Sequence, residues 1–227
     1  GRPHAMTVSL YRRDTSLATP NCAVATSYAG AKNLKGWTTV DASHPAGATA
    51  PSIDSGTALG TSVPASNNVA LTFTAGVATF NLTTSDVGKY VINLRDDSRT
   101  FASAVNIDGS SPTLTVRPFA LAATNAVKGA TTNPEGTATT GAKFVTAGET
   151  FATTVAAYLW AAGDDTNNDG TPDSGANVLN NTLAARFAWP VTLSASSTSG
   201  PFTPVGGPLG TPPGPTTIPA APFVNGA

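Results

Sequence analysis

Asp86-Val87-Gly88-Lys89-Tyr90-Val91-Ile92 is the stretch from which the fold of this chain is read. Its first three residues are turn chemistry, because an Asp side chain bonds backbone two residues on and Gly accepts angles closed to other residues. From Lys89 to Leu94 the side chains then alternate with the period of a half-buried strand. The D-x-G-x-Y spacing is that of a tyrosine corner, in which the phenol hydroxyl bonds back to upstream backbone and pins the start of the strand. Tyr90 is therefore read as a structural residue, not as a catalytic or ligand-stacking one.

The same alternation extends outward in both directions. Thr7–Tyr11, Cys22–Tyr28, Val69–Phe73, Val77–Leu82, Phe101–Val105 and Thr113–Val116 read as further strands. Ala75-Gly76, Asp96-Asp97-Ser98 and the Asp108–Pro112 cluster separate them as turns. Seven short strands around a tyrosine corner predict an immunoglobulin-like antiparallel β-sandwich, with Ile92 where antibody domains place a cysteine. Between the early and late strands, Ser43–Asn68 is rich in Ala, Pro, Ser and Gly and reads as a long irregular connection, with His44 a solvated loop residue.

Pro118 interrupts the alternation at Val116-Arg117-Pro118-Phe119 and marks a domain junction. Phe119–Ala123, Lys143–Val145, Thr150–Trp160, Leu183–Trp189 and Val191–Ala195 read as strands of a second unit. The expected division is 7–118 for the first sandwich, 119–199 for a second one, complete or truncated, and 200–227 for an extended segment. That last segment carries eight Pro within 27 residues from Pro201 onward. Gly1–Met6, GRPHAM, resembles a cloning remnant followed by a start Met and is set aside with His4. The fold class expected is all-β, two immunoglobulin-like units in tandem.

Composition narrows the function. Charged residues are only 11% of the chain, and 12 Lys and Arg against 13 Asp and Glu leave a net charge of −1. No basic stripe could neutralise a run of phosphates, so nucleic acid is not an expected partner. No apolar run approaches the roughly 20 residues that span a bilayer. Cys22 is the single cysteine, which excludes an internal disulfide and a thiolate zinc cluster, and burial as a small hydrophobe is expected for it.

Asp165-Thr166-Asn167-Asn168-Asp169-Gly170-Thr171-Pro172-Asp173 is the one stretch with ligand chemistry. It matches the first nine positions of an EF-hand-type calcium loop, D-x-[DN]-x-D-G-x-x-D. Calcium takes six to eight oxygens at about 2.3–2.6 Å, and alternate side chains of a tight loop aim theirs at one centre while Gly permits the turn. Asp165, Asn167 and Asp169 would give side-chain oxygens, Thr171 its carbonyl, and Asp173 a direct or water-mediated contact. Ala176 stands at the twelfth position, where a bidentate Glu is usual, so Asp164, Asn177 or a distant carboxylate must complete the shell. The flanks are strand-like, which argues against a helix-loop-helix sensor, and with no base, nucleophile or oxyanion donor nearby the ion is read as structural. A metal-free Asn/Asp/Gly turn is the competing reading.

Catalytic patterns are missing. Two His, one of them His4, leave little for a Ser or Cys triad, and no G-x-S-x-G, H-E-x-x-H or P-loop occurs. Glu135 and Glu149 are the only Glu residues and lie in turn-like contexts. The chain resembles the MshQ-like extracellular proteins of mannose-sensitive haemagglutinin (type IV) pilus systems, in a C-terminal domain family of unassigned function. The resemblance rests on Phe73–Phe80, Asp86–Asp97, Ser110–Phe119, Phe144–Phe151 and Asp164–Asp173. It implies a place at the surface of a Gram-negative bacterium, an adhesive or assembly role, and other pilus proteins or a surface glycan as partners. It carries over no catalytic residue. The alternative is a carbohydrate-binding accessory module of a secreted hydrolase, with Trp37, Tyr158 and Trp160 as sugar-stacking candidates.

Overall fold

The computed structural model describes residues 1–19, 21–99, 105–134, 140–146, 148–193 and 216–218. The first domain holds β1 (Pro3–Ser9), β2 (Tyr11–Arg13), β3 (Cys22–Val24), β4 (Gly30–Val40), β5 (Ser52–Ile53), β6 (Val69–Phe73), β7 (Val77–Thr83), β8 (Gly88–Asp96), β9 (Ile107–Ser110) and β10 (Leu114–Val116). The second holds β11 (Ala120–Lys128), β12 (Thr131–Thr132), β13 (Ala152–Tyr158), β14 (Val191–Leu193) and β15 (Thr216–Ile218). All strand pairs are antiparallel. Among the described residues no helix is long and apolar enough to cross a membrane.

Two sheets close the first core. One runs β1-β7-β5 and the other β10-β8-β4-β6, with β9 also on β8. The alternation in β6 buries Val69, Leu71 and Phe73, and that in β7 buries Ala78, Phe80 and Leu82; both sets meet Leu34, Ile53, Tyr90 and Ile92. Ala75 and Gly76 carry the chain from one sheet to the other, both at positive φ (48° and 83°), in a tight turn closed by the Thr74–Val77 bridge. A Cβ on Gly76 would lie 2.7 Å from the Ala25 carbonyl oxygen, so the turn also needs glycine for room.

Several expectations change. Gly1–Met6 is not outside the fold, because Pro3–Met6 begins β1 and pairs with Phe80–Thr83 of β7. β4 was not legible, yet it is the strand that joins β6 to β8: Gly30–Leu34 pairs with the former and Lys35–Val40 with the latter. Its buried positions are Leu34, Gly36 and Thr38, and the small Gly36 and polar Thr38 hide the period. Gly36 is needed there, since a Cβ would sit 2.6 Å from Val69 Cγ2. The Asn68 amide continues the ladder beside it, accepting from Gly36 N at 2.7 Å and donating to Gly36 O at 2.8 Å. Asp108–Ser110, expected as a turn, is part of β9, held to β8 by the paired Arg95–Asp108 contacts at 2.6 and 3.0 Å. Cys22 is exposed at the start of β3, not buried. Residues 101–104 of the expected strand Phe101–Val105 lie outside the described residues.

The tyrosine corner forms as its spacing predicts. Tyr90 is buried, and its hydroxyl donates to the Thr49 carbonyl at 2.9 Å and reaches the Val87 carbonyl at 3.3 Å. Burial and the Asp86 charge push its phenol up to about 12. His44 is part of this corner and not a free loop residue, for its Nδ1 accepts from Lys89 N at 3.1 Å and its ring meets Tyr90 edge-on at 4.8 Å.

A second buried polar pair lies at the far end of β8, where Tyr28 donates to Asp96 Oδ2 at 2.7 Å. Burial alone would raise the Asp96 carboxyl, but hydrogen bonds from Ser98 and Tyr28 and the nearby Lys32 ammonium outweigh it and hold the group below its ordinary value. A carboxyl depressed in the folded state stabilises above its unfolded pKa of about 3.9, and that contribution fades as pH falls through the lower folded value. Acid titration of stability is expected to show a drop below about pH 4 that Asp96→Asn makes shallower. Equal acid limbs in the two proteins would refute the assignment.

In the second domain β11 lies between β12 and β13, with Ala120 opposite Tyr158 and a register shift between Thr124 and Val127 at Asn125, whose φ is 53°. Leu183–Trp189, expected as a strand, instead forms only an isolated antiparallel bridge, Leu183 opposite Tyr158, flanked by Leu159 N to Thr182 O and Ala184 N to Ala157 O, each at 2.8 Å. Within the Pro-rich segment the Pro-free, β-branched triplet Thr216–Ile218 forms β15 and pairs with β14.

The domains share apolar contacts. Val87, at the tip of the tyrosine corner, is wholly buried among Ala157, Ala184, Phe187 and Val191 of the second domain. Trp189 Nε1 donates across the seam to the Ser43 carbonyl at 2.9 Å.

Candidate functional site: the acidic loop at the domain seam

Chain reversal after β13 begins at Trp160 and passes through the 3-10 turn Ala162–Asp164 into the acidic loop. Asn168 and Gly170 take left-handed conformations (φ 59° and 84°), and Asp173 N bonds the Asp164 carbonyl at 2.8 Å to close the loop. Asx chemistry accounts for this local form: side-chain oxygens of Asp and Asn accept the amides two or more residues on.

Asp165 is the centre of the arrangement, with its side chain fully buried. Its Oδ1 accepts from Asp169 N at 2.9 Å. Its Oδ2 accepts from Gly170 N at 3.1 Å and from Trp160 Nε1 at 2.7 Å. Asn167 accepts from Asp169 N at 3.0 Å and donates to Asp169 Oδ2 at 3.1 Å. Hydrogen bonds from the Thr171 hydroxyl and amide, helped by Arg2, hold the Asp169 carboxyl below its ordinary value. Three expected ligands, Asp165, Asn167 and Asp169, thus lie in one connected set.

Thr171 meets Asp169 through its amide at 2.8 Å and through its hydroxyl. Asp173 turns the other way, accepting from Thr166 N at 2.7 Å and from the Thr166 hydroxyl. Among the described residues no three His, Cys, Asp or Glu side chains gather as a metal-holding group. Of the residues expected to complete the shell, Asn177 is exposed. Asp164 presents a buried Oδ2 with no hydrogen-bond partner among the described residues, an arrangement that a cation relieves.

Two contacts to the loop had no signal in the sequence. Arg2, set aside with the opening residues, donates from Nε to Asn168 Oδ1 at 2.9 Å and from Nη2 to the Asn168 carbonyl, and its Nε lies 3.8 Å from Asp165 Oδ2. The guanidinium of the first domain therefore faces the acidic loop of the second. Trp160 and Gly170 also form one wall of a cleft of about 640 Å³ between the domains.

Of the aromatic residues expected to stack on sugars, Tyr158 is buried. Trp37 is half-buried beneath Arg95, whose guanidinium carbon is 5.5 Å from the ring centre. Trp160 alone of the three lines the cleft.

Residues 1–110 match the family model described as a domain of unknown function (DUF6701), first Ig-like domain, and residues 117–211 match the one described as DUF6701, second domain. The chain belongs to the DUF6701 family. Its first domain is immunoglobulin-like and the two domains stand in tandem. No curated protein and no solved structure matches the chain.

Proposed function

We propose that this chain is a non-catalytic structural or adhesive module of an MshQ-like surface protein associated with a type IV pilus, outside a Gram-negative cell, and that its acidic loop holds a structural calcium ion. The observation that carries the reading is the place of the loop: it lies on the domain seam, with Arg2 of one domain and Trp160 of the other both bonded to it. An ion held by Asp165, Asn167, Asp169, the Thr171 carbonyl and Asp173, with Asp164 completing the shell, would brace the seam. Extracellular modules hold calcium at about 10⁻⁴–10⁻³ M, so an ion of this kind suits an external compartment.

Calcium at a hundred times its dissociation constant adds about 2.7 kcal/mol. For a chain of this size that is a rise in melting temperature of roughly 5–10 °C. EDTA, or Asp169→Ala in the presence of calcium, is expected to abolish the rise. An unchanged melting curve on adding calcium would remove the ion from the proposal.

A carbohydrate-binding accessory module remains the second reading, favoured by the position of Trp160 on the cleft wall.

A further inference from the structure

The cleft between the domains has features that neither the sandwich nor the acidic loop explains. Its walls come from the start of β1, the Thr84–Asp86 turn and β10 on one side, and from Trp160 and Gly170 on the other; Arg117 and Pro118 of the linker also line it. Its volume of about 640 Å³ falls in the usual range for small-ligand sites, roughly 300–1,000 Å³, and domain seams are a common place for them.

The polar groups there divide sharply. Asp86 is already engaged by Val87 N at 2.8 Å and Thr49 N at 3.3 Å, and Asp169 by Thr171 and Asn167. Arg2 is engaged by Asn168. Arg117, by contrast, is exposed and makes no hydrogen bond or ion pair with the described residues. The side-chain hydroxyls of Ser85, Thr115 and Thr182 likewise have no partner among them. Beside these groups stands the indole of Trp160, whose edge is fixed by its hydrogen bond to the buried Asp165. A rigid aromatic face, three open hydroxyls and one open guanidinium are a set that recognises a hydroxyl-rich ring bearing a carboxylate: the ring stacks, the hydroxyls exchange hydrogen bonds, and the planar guanidinium takes the anion.

We propose that the interdomain cleft binds an acidic saccharide, a short uronate-containing chain, with Trp160 as the stacking platform and Arg117 as the carboxylate contact. This rests on the adhesive reading above and names its ligand class. The acidic loop then has a second consequence, since Asp165 holds Trp160 in place.

The test is calorimetric titration of the full chain with oligogalacturonate, with the carboxyl-reduced oligosaccharide and a glutamate peptide of equal charge as comparisons. Saturable binding of the uronate alone is expected, with Arg117→Gln weakening it by about ten- to a hundredfold, the range of a charge-assisted hydrogen bond. Trp160→Phe, which keeps a ring but loses the indole N–H, is expected to weaken it less than Trp160→Ala. No saturable binding, equal binding of the reduced saccharide, equal binding of the glutamate peptide, or an affinity unchanged in Arg117→Gln would each overturn the proposal. Calcium-dependent melting is read separately: if it persists while no saccharide binds, this inference fails and the structural module stands.

Discussion

Val87→Asp is expected to destabilise the chain by about 3–5 kcal/mol, the cost of an uncompensated buried charge. Val87 belongs by sequence to the turn of the tyrosine corner, yet its side chain is wholly buried in the apolar cluster of the other domain, against Ala157, Ala184, Phe187 and Val191. An aspartate there faces no cation and no donor in that cluster. Val87→Ala, which only removes methyl groups, is expected to cost about 1–2 kcal/mol. Scanning calorimetry distinguishes the sites of damage. The tyrosine corner relies on Tyr90 and the Thr49 carbonyl, which the substitution leaves in place. The second domain should therefore melt earlier, as a separate transition, while the first keeps its own. A Val87→Asp protein that melts like the parent would show that the seam adds nothing to stability.

Asp165→Ala is the second large effect expected, about 2–4 kcal/mol, because it strips acceptors from donors that are partly or wholly out of water. The carboxylate holds Asp169 N, Gly170 N and Trp160 Nε1 together, and among the described residues Asn167 Oδ1 is a second acceptor for Asp169 N alone. Urea denaturation reads the loss. Tryptophan emission reads the local cause, since Trp160 is one of three Trp in the chain and the one whose indole N–H is bonded to Asp165. Asp165→Asn keeps the shape and one acceptor oxygen and is expected to lie between the alanine variant and the parent. Should Asp165→Ala denature at the parent's urea concentration with unchanged emission, the loop would have no part in holding the second domain.

Some elements declare themselves and others do not, and the difference is physical. β6 and β7 were legible because Val69, Leu71, Phe73 and Ala78, Phe80, Leu82 are apolar at every inward position and Ala75-Gly76 is turn chemistry between them. β4 was not, since Gly36 and Thr38 face inward where an apolar signal would be sought, and the strand depends on Val69 packing over the glycine and on Asn68 bonding its edge. β9 carries Asp-Gly-Ser, which locally favours a turn; pairing with Asn93–Asp96 and the Arg95–Asp108 contacts outweigh that preference. Leu183–Trp189 errs the opposite way, being apolar enough for a strand but joined to β13 among the described residues by one isolated bridge, Leu183 opposite Tyr158.

The loop divides along the same line. Its identity, its turn at Gly170 and the grouping of Asp165, Asn167 and Asp169 follow from residue types at fixed spacing, because Asx turns and left-handed residues are local physics. Its setting is not local. By itself the sequence determined an all-β chain, a tyrosine corner at Tyr90 and an oxygen-rich loop at Asp165–Asp173. Only the tertiary structure decided that Arg2 and Trp160 meet that loop, that Val87 is a core residue of the neighbouring domain, and that Arg117 lines a cleft. Those contacts join residues up to 166 positions apart, and no pattern of neighbours along the chain encodes which distant surfaces will pack together.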